Sequence, residues 1–459
     1  MKGEFFMKLK RCIALALTVV CAASVMGCAQ EAAQTTPDGN VELTVTYGLG
    51  ELGNGNTTVE EVFAGFLEEH PNVTISIEPA VGSDPKVLAM IAAGNPPNII
   101  RLNTVEDIPT YVTRNMLVPL DDYMEKSENI DMDDFTEAAS YLRFDGKEAG
   151  KGPYYAAYKD WSVDTQMWIN KRLFQEAGLD IPSQTEPMTF EELADCAKKL
   201  TKVEDGQVVQ MGFSSVLNTQ QIIEYMLSTE GGSIWNEDFS GTTLLTDEKT
   251  KKAFEYMVDV QKANAFESDI NPVNQDMAWF TSGKTAIFMA GYWATANLSK
   301  AIEAGEINAD DYMMIPSPVV EKGTRHAAII CGTGAGIMAA ADNRDLTYEL
   351  WEYIHFDELA DLRAQQGFGM PMTKSRMSML PQDSPFQKAA YDSVMEEIKH
   401  LGNGVRVSPY VGVSSITSSI KKFYSPVLFE TSTLDDALAS MDEDFTMLTD
   451  EGKQIAGVE

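Results

Sequence analysis

The chain has 459 residues, 44% hydrophobic and 23% charged, which suits two domains with buried cores and excludes a disordered polymer. A total of 69 acidic against 35 basic side chains gives a formal charge of -34, which repels a phosphate backbone and anionic lipid alike, so nucleic acid is not expected as a partner. The five cysteines include no CxxC pair and the four histidines stand far apart, so no metal is expected; with no glycine-rich phosphate motif either, no cofactor is expected.

Lys8, Lys10 and Arg11 precede an apolar run from Cys12 to Val25, the charged head and apolar core of a secretory signal that is too short for a membrane span. It closes on Val25, Met26, Gly27 and Cys28, which resembles the lipobox of bacterial lipoproteins; the resemblance implies loss of residues 1–27 and lipidation of the Cys28 thiol. Residues 28–40, polar and aperiodic, read as a flexible tether. Membrane attachment then rests on acyl chains, each buried CH₂ contributing about 0.8 kcal/mol. The expected location is the outer face of the bacterial cytoplasmic membrane.

Val41 to Tyr47 alternates as a strand and runs into the glycine-rich loop Gly48–Asn56. Thr58 with Glu61 forms a capping box ahead of a helix carrying Val59, Val62, Phe63, Phe66 and Leu67. Pro71 stops that helix, Val73 to Ile77 is a second strand, Pro85 opens a helix ended by Gly94, and Asn98 to Leu102 is a third strand. The order β-α-β-α-β predicts an open, mostly parallel sheet covered by helices. Such sheets bind ligands at the carboxyl ends of their strands, here Tyr47 to Glu51 and Asn103 with Thr104.

Residues 151–179 gather Tyr154, Tyr155, Tyr158 and Trp161 with Lys159, Asp160 and Asp164, a mixture that suits a small-molecule cleft and equally suits core packing. A strand around Trp168 and a helix ending at Gly178 follow, with Asp164 and Trp168 read as parts of that strand. A second α/β unit comes next: a capping box at Thr189 and Glu192, a strand over 211–216, helices over 219–227 and 246–264, and Trp235 in a turn-rich loop. Thr285 to Met289 is a strand with Gly291, Tyr292 and Trp293 just past its end, a place that core packing explains poorly. Helices over 343–356 and to Gln366 lead to a helical carboxyl end with Leu434, Leu438, Met441, Phe445 and Leu448 on one stripe. Cys196 and Cys331 lie in apolar stretches and read as buried free thiols, although one bridge between them is possible.

Four segments together carry a family resemblance: FLEEHPNVTISIE with IAAGNPPNII, MWINKRLFQEAGLDIP with TFEELADCAKKLT, FTSGKTAIFMAGYW, and GTGAGIMAAADNRDLTYELWEYIHF with GFGMPMTKS. From Val41 onward the chain resembles the extracellular solute-binding proteins of ABC importers, in the carbohydrate-binding family that includes maltose-binding protein. Ile169 and Phe190 depart from the aromatic and the tryptophan usual at those places. The resemblance implies a two-lobed α/β periplasmic-binding-protein-like fold of class II type, with lobes over 41–157 plus 316–368 and 158–315 plus 369–459, closing about a hinge. It also implies a non-enzymatic monomer that delivers a sugar to membrane permease subunits. Trp161 and Trp293 are the expected stacking platforms, with Asp160, Lys159, Glu51 and Asn103 as polar contacts. Tyr47, Tyr155, Tyr292 and Met370 are secondary candidates. A peptide, polyamine or other solute remains open as ligand, and a secreted glycosidase remains open as an alternative activity.

Overall fold

The computed structural model describes residues 40–52, 58–82, 85–102, 104–272, 277–330, 332–402 and 405–458; the leader, Cys28, the tether to residue 39, Asn103 and Cys331 lie outside the described residues. Both predicted capping boxes form. Thr58 and Glu61 exchange hydrogen bonds with each other's backbone N–H at 3.3 and 2.9 Å, and Thr189 and Glu192 do so at 3.1 and 2.9 Å.

The strands in the first part of the chain are β1 (Val41–Val45), β2 (Val73–Ile77), β3 (Ile99–Leu102), β4 (Arg143–Phe144), β5 (Ala149–Tyr154) and β6 (Ala157–Asp160). Then come β7 (Met167–Asn170), β8 (Lys202–Glu204), β9 (Gln207–Ser215), β10 (Thr285–Met289), β11 (Tyr312–Ile315) and β12 (Thr333–Ile337). They build two five-stranded sheets, ordered β2-β1-β3-β12-β6 and β11-β7-β10-β9-β8, and β4 with β5 forms a hairpin. In the first sheet β1 runs parallel to β2 and β3, as the β-α-β-α-β order predicts, while β12 is antiparallel to both β3 and β6. The chain therefore leaves the first sheet after Asp160 and returns to it after Ile315. Tyr158, Lys159 and Asp160 stay with the first sheet, three residues beyond the division expected from the resemblance.

Strand β12 was not expected, because the sequence Thr-Gly-Ala-Gly-Ile offers little β-branched or aromatic character. Packing demands that composition. A Cβ on Gly334 would sit 2.6 Å from the Ala157 carbonyl oxygen, and one on Gly336 would sit 2.6 Å from that of Tyr155.

The second sheet shows how alternation divides one layer between two cores. Trp168, Phe288 and Met314 face the cluster that continues under the first sheet. Their neighbours Met167, Ile169, Ile287, Met289 and Ile315 face a separate cluster. That second cluster is covered by α1 (Phe190–Leu200), α2 (Thr219–Thr229) and a long carboxyl-terminal helix, Leu434–Ala456, whose Leu438, Met441 and Phe445 are buried as the stripe predicts. Trp235 is buried in the same cluster against Phe445 of the last helix, with ring centroids 5.4 Å apart, a long-range contact. Cys196 is a half-buried free thiol. Among the described residues no helix is long and apolar enough to cross a membrane.

Thr104 Oγ1 donates to the Ile330 carbonyl at 2.7 Å and Thr113 Oγ1 to that of Pro409 at 2.7 Å. Glu106, in the turn after β3, and Glu224, on α2, are both buried and act on each other. Burial, then Glu224 and Asp107, hold the Glu106 carboxyl well above the usual carboxylate range, and the Gln221 amide opposes them. Burial pushes the Glu224 carboxyl up to about 8, although the Gln220 amide donates to it at 3.1 Å.

Two outcomes follow from this packing. Gly212 on β9 sits where a Cβ would lie 1.8 Å from the Ala197 carbonyl oxygen of α1. We expect Gly212→Ala to destabilise the fold by about 1–3 kcal/mol or more, read as a lower urea midpoint; an unchanged midpoint refutes this helix-on-strand contact. The raised carboxyls give a definite sign of pH dependence. Protonated in the folded chain and ionised in the unfolded one, they contribute stability that is complete below about pH 4 and is lost as pH rises through about 8. Glu224→Gln is therefore expected to raise the melting temperature by an increment that grows between about pH 5 and pH 9, whereas an increment independent of pH would refute the pairing.

Candidate functional site

The polar ends of both sheets open onto a cavity of about 360 Å³ between the lobes. One wall comes from the first sheet and its neighbours: Gly50 and Glu51 after β1, Lys159 and Asp160 at the end of β6, and Thr333 at the start of β12. Two helices join that wall, α3 (Arg344–Phe356) behind it and α4 (Glu358–Gln366) along it, with Arg363, Gln366 and Phe368 reaching the cavity. Ser162 and Asp164 before β7, Val216 after β9 and Trp293 after β10 supply the opposite wall. This is the carboxyl-end placement that open α/β sheets favour.

Trp293 is held from its own side. Asp164 Oδ1 accepts the indole Nε1–H of Trp293 at 2.9 Å and the backbone N–H of Gly291 at 3.0 Å. Trp168 Nε1–H donates to the Gly291 carbonyl at 3.2 Å, so both backbone groups of Gly291 are engaged. A Cβ on Gly291 would lie 2.0 Å from Ser162 Oγ and 2.5 Å from Asp164 Oδ1; glycine is what lets the loop carrying Asp164 reach the strand end. Trp293 is partly buried and lines the cavity.

The facing wall is rich in charge. Arg101 Nε–H donates to Glu51 Oε2 at 2.7 Å, and Lys159 Nζ lies 2.8 Å from Asp160 Oδ2. Arg363 is only 5% exposed. Its Nη2 donates to the Ile354 carbonyl at 2.6 Å and its Nε to that of Lys159 at 3.4 Å, while Nη1 has no partner among the described residues. Burial pulls the guanidinium down to about 10, against the opposing pull of Tyr47 and Asp160.

Beneath this wall His355 Nδ1 lies 2.7 Å from the Trp351 carbonyl, which only accepts, so the ring proton is on Nδ1. Nε2 then accepts from the Tyr47 hydroxyl at 3.2 Å. Burial lowers this imidazole to about 3, which keeps it neutral and fixes that direction of donation.

The structure thus brings Glu51, Lys159, Asp160 and Trp293 together and sets the other expected contacts apart. Trp161 is 1% exposed: its backbone pairs with Met370 and its Nε1–H donates to the Pro371 carbonyl at 2.8 Å, so the indole serves as core rather than as a platform. Tyr47, Tyr292 and Met370 are buried in the same cluster, with no surface left for a ligand. Tyr155 packs beside Ile100, Leu117 and Met338 in a separate small cluster. Asn103 lies outside the described residues. Sequence reasoning assigned Asp164 to the strand and passed over Arg363, Gln366 and Phe368. Polar residues at helical spacing on α4 look like an ordinary solvated face, and only the return of β12 turns that face inward.

The model of the family described as bacterial extracellular solute-binding protein matches residues 50–356. A mannitol-binding protein of Pseudomonas aeruginosa is 23% identical over 312 residues, 63% of this chain and 68% of its own. Among solved structures, an ABC substrate-binding protein from Listeria monocytogenes in complex with cycloalternan superposes with a TM-score of 0.69 at 19% identity, over 91% of this chain and 98% of its own. An ABC transporter solute-binding protein from Agrobacterium vitis with bound D-mannitol does so with a TM-score of 0.65 at 19% identity, over 91% and 98%. With two α/β lobes facing each other across a polar cavity and a family match over two thirds of its length, the chain belongs to the bacterial extracellular solute-binding proteins.

Proposed function

We propose that the protein captures a sugar or sugar alcohol between its lobes and delivers it to the permease of an ABC importer. The observation that carries this reading is the pairing of a fixed indole, Trp293, on one wall with ion-paired and hydrogen-bonding groups on the other. A sugar ring needs an apolar surface for one face and directed donors and acceptors for its hydroxyls, and this cavity holds both. Its volume of about 360 Å³ falls at the small end of the 300–1,000 Å³ usual for small-molecule sites, which favours one or two sugar units over a long chain. The sugars and polyols named for the relatives support the same class.

In this reading the lobes comprise residues 41–160 with 316–368, and 161–315 with 369–459, and ligand contacts made from both sides favour the closed arrangement. Once the leader is removed, the lipidated Cys28 tethers the protein, as a monomer, to the outer face of the membrane, and it performs no chemistry on its ligand.

A panel of monosaccharides, disaccharides, sugar alcohols, peptides and amines, screened by thermal shift and followed by product analysis, tests the proposal. A rise in melting temperature with a sugar or polyol and no new product is the expected result. A response confined to peptides or amines, or release of a hydrolysis product, refutes it. Trp293→Ala is expected to weaken the hit by about tenfold or more, a loss of about 1.4 kcal/mol, in calorimetric titration. Trp161→Phe, which keeps the core filled, is expected to change affinity by less than about twofold.

A further inference from the structure

Among the described residues, one cation of the cavity wall, Arg363, has no carboxylate at ion-pair distance. Glu51 is met by Arg101 at 2.7 Å, Asp160 by Lys159 at 2.8 Å, and Asp164 by two N–H groups at 2.9 and 3.0 Å. Arg363 has no carboxylate within 4 Å among the described residues; two backbone carbonyls anchor it through Nη2 and Nε. The remaining nitrogen, Nη1, is buried without a partner on a side chain that lines the cavity. A buried guanidinium is unfavourable unless an anion meets it, and its fixed donors suit an oxyanion better than a neutral hydroxyl does.

Resting on the sugar-binding reading, we propose that Arg363 forms the subsite for an acidic group of the ligand, so that the preferred solute is an anionic sugar. Its acid is a carboxylate, as in a hexuronate, or a phosphate ester. The two walls then recognise different parts of one molecule. Trp293 takes the apolar ring face and Asp164 lies beside it to receive hydroxyl donors, while the acid reaches Arg363 across the cavity. The negative charge of the chain as a whole does not oppose this, since screening confines distant surface charges to about 8–10 Å while Arg363 acts at contact.

The test titrates the full chain with D-galacturonate, D-glucuronate and glucose 6-phosphate beside galactose and glucose. At least one acid is expected to bind about tenfold or more tightly than its neutral parent, and the comparison of uronates with the phosphate ester shows which acid is read. Arg363→Gln should abolish that preference, so that acid and neutral parent bind with equal affinity, and Arg363→Lys should keep part of it. If Arg363→Gln fails to fold, Arg363→Lys with a salt series on the wild type replaces it: a preference that shrinks with added salt supports the subsite, and one indifferent to both refutes it. Equal or tighter binding of the neutral parents overturns this inference and leaves the sugar reading standing. Binding of no sugar of either kind removes both.

Discussion

The arrangement depends on one close approach of backbone to backbone. After building the second sheet the chain comes back to insert β12 between β3 and β6, and it fits only because Gly334 and Gly336 carry no side chain where the strand meets the carbonyls of Ala157 and Tyr155. That return makes the molecule a pair of lobes joined by crossings rather than two domains in series. It also places Thr333 and, through the helices that follow, Arg363 on the same wall as Lys159 and Asp160. With a larger residue at either glycine the first sheet would separate from β6, and the wall would lose its continuity.

On the opposite side the decisive contact is small. One carboxylate oxygen of Asp164 fixes both the indole of Trp293 and the backbone of Gly291, and the missing Cβ of Gly291 makes room for it. Two short segments 127 residues apart in sequence therefore set one surface.

The sequence made the layers readable wherever a local rule decided the structure. Both capping boxes, the alternating strands β1 and β2, and the stripe on the last helix all follow from periodicity and capping. Strand β12 was illegible because its glycines answer to a partner strand distant in sequence. Trp293 was legible from its place just past a strand end, and Lys159 and Asp160 from their polar-aromatic setting. Trp161 has the same local credentials as Trp293, yet its pairing with Met370 turns it into the core, and no local pattern distinguishes the two. Arg363 reads as a surface helix position until tertiary structure covers it.

Because Asp164 and Trp293 both belong to the second lobe, the indole is oriented before any ligand arrives and before the lobes approach each other. The usual entropic cost of freezing such a side chain on binding, about 0.5–1.5 kcal/mol, is met during folding instead. The second lobe thus carries this surface already formed, whatever the distance between the lobes.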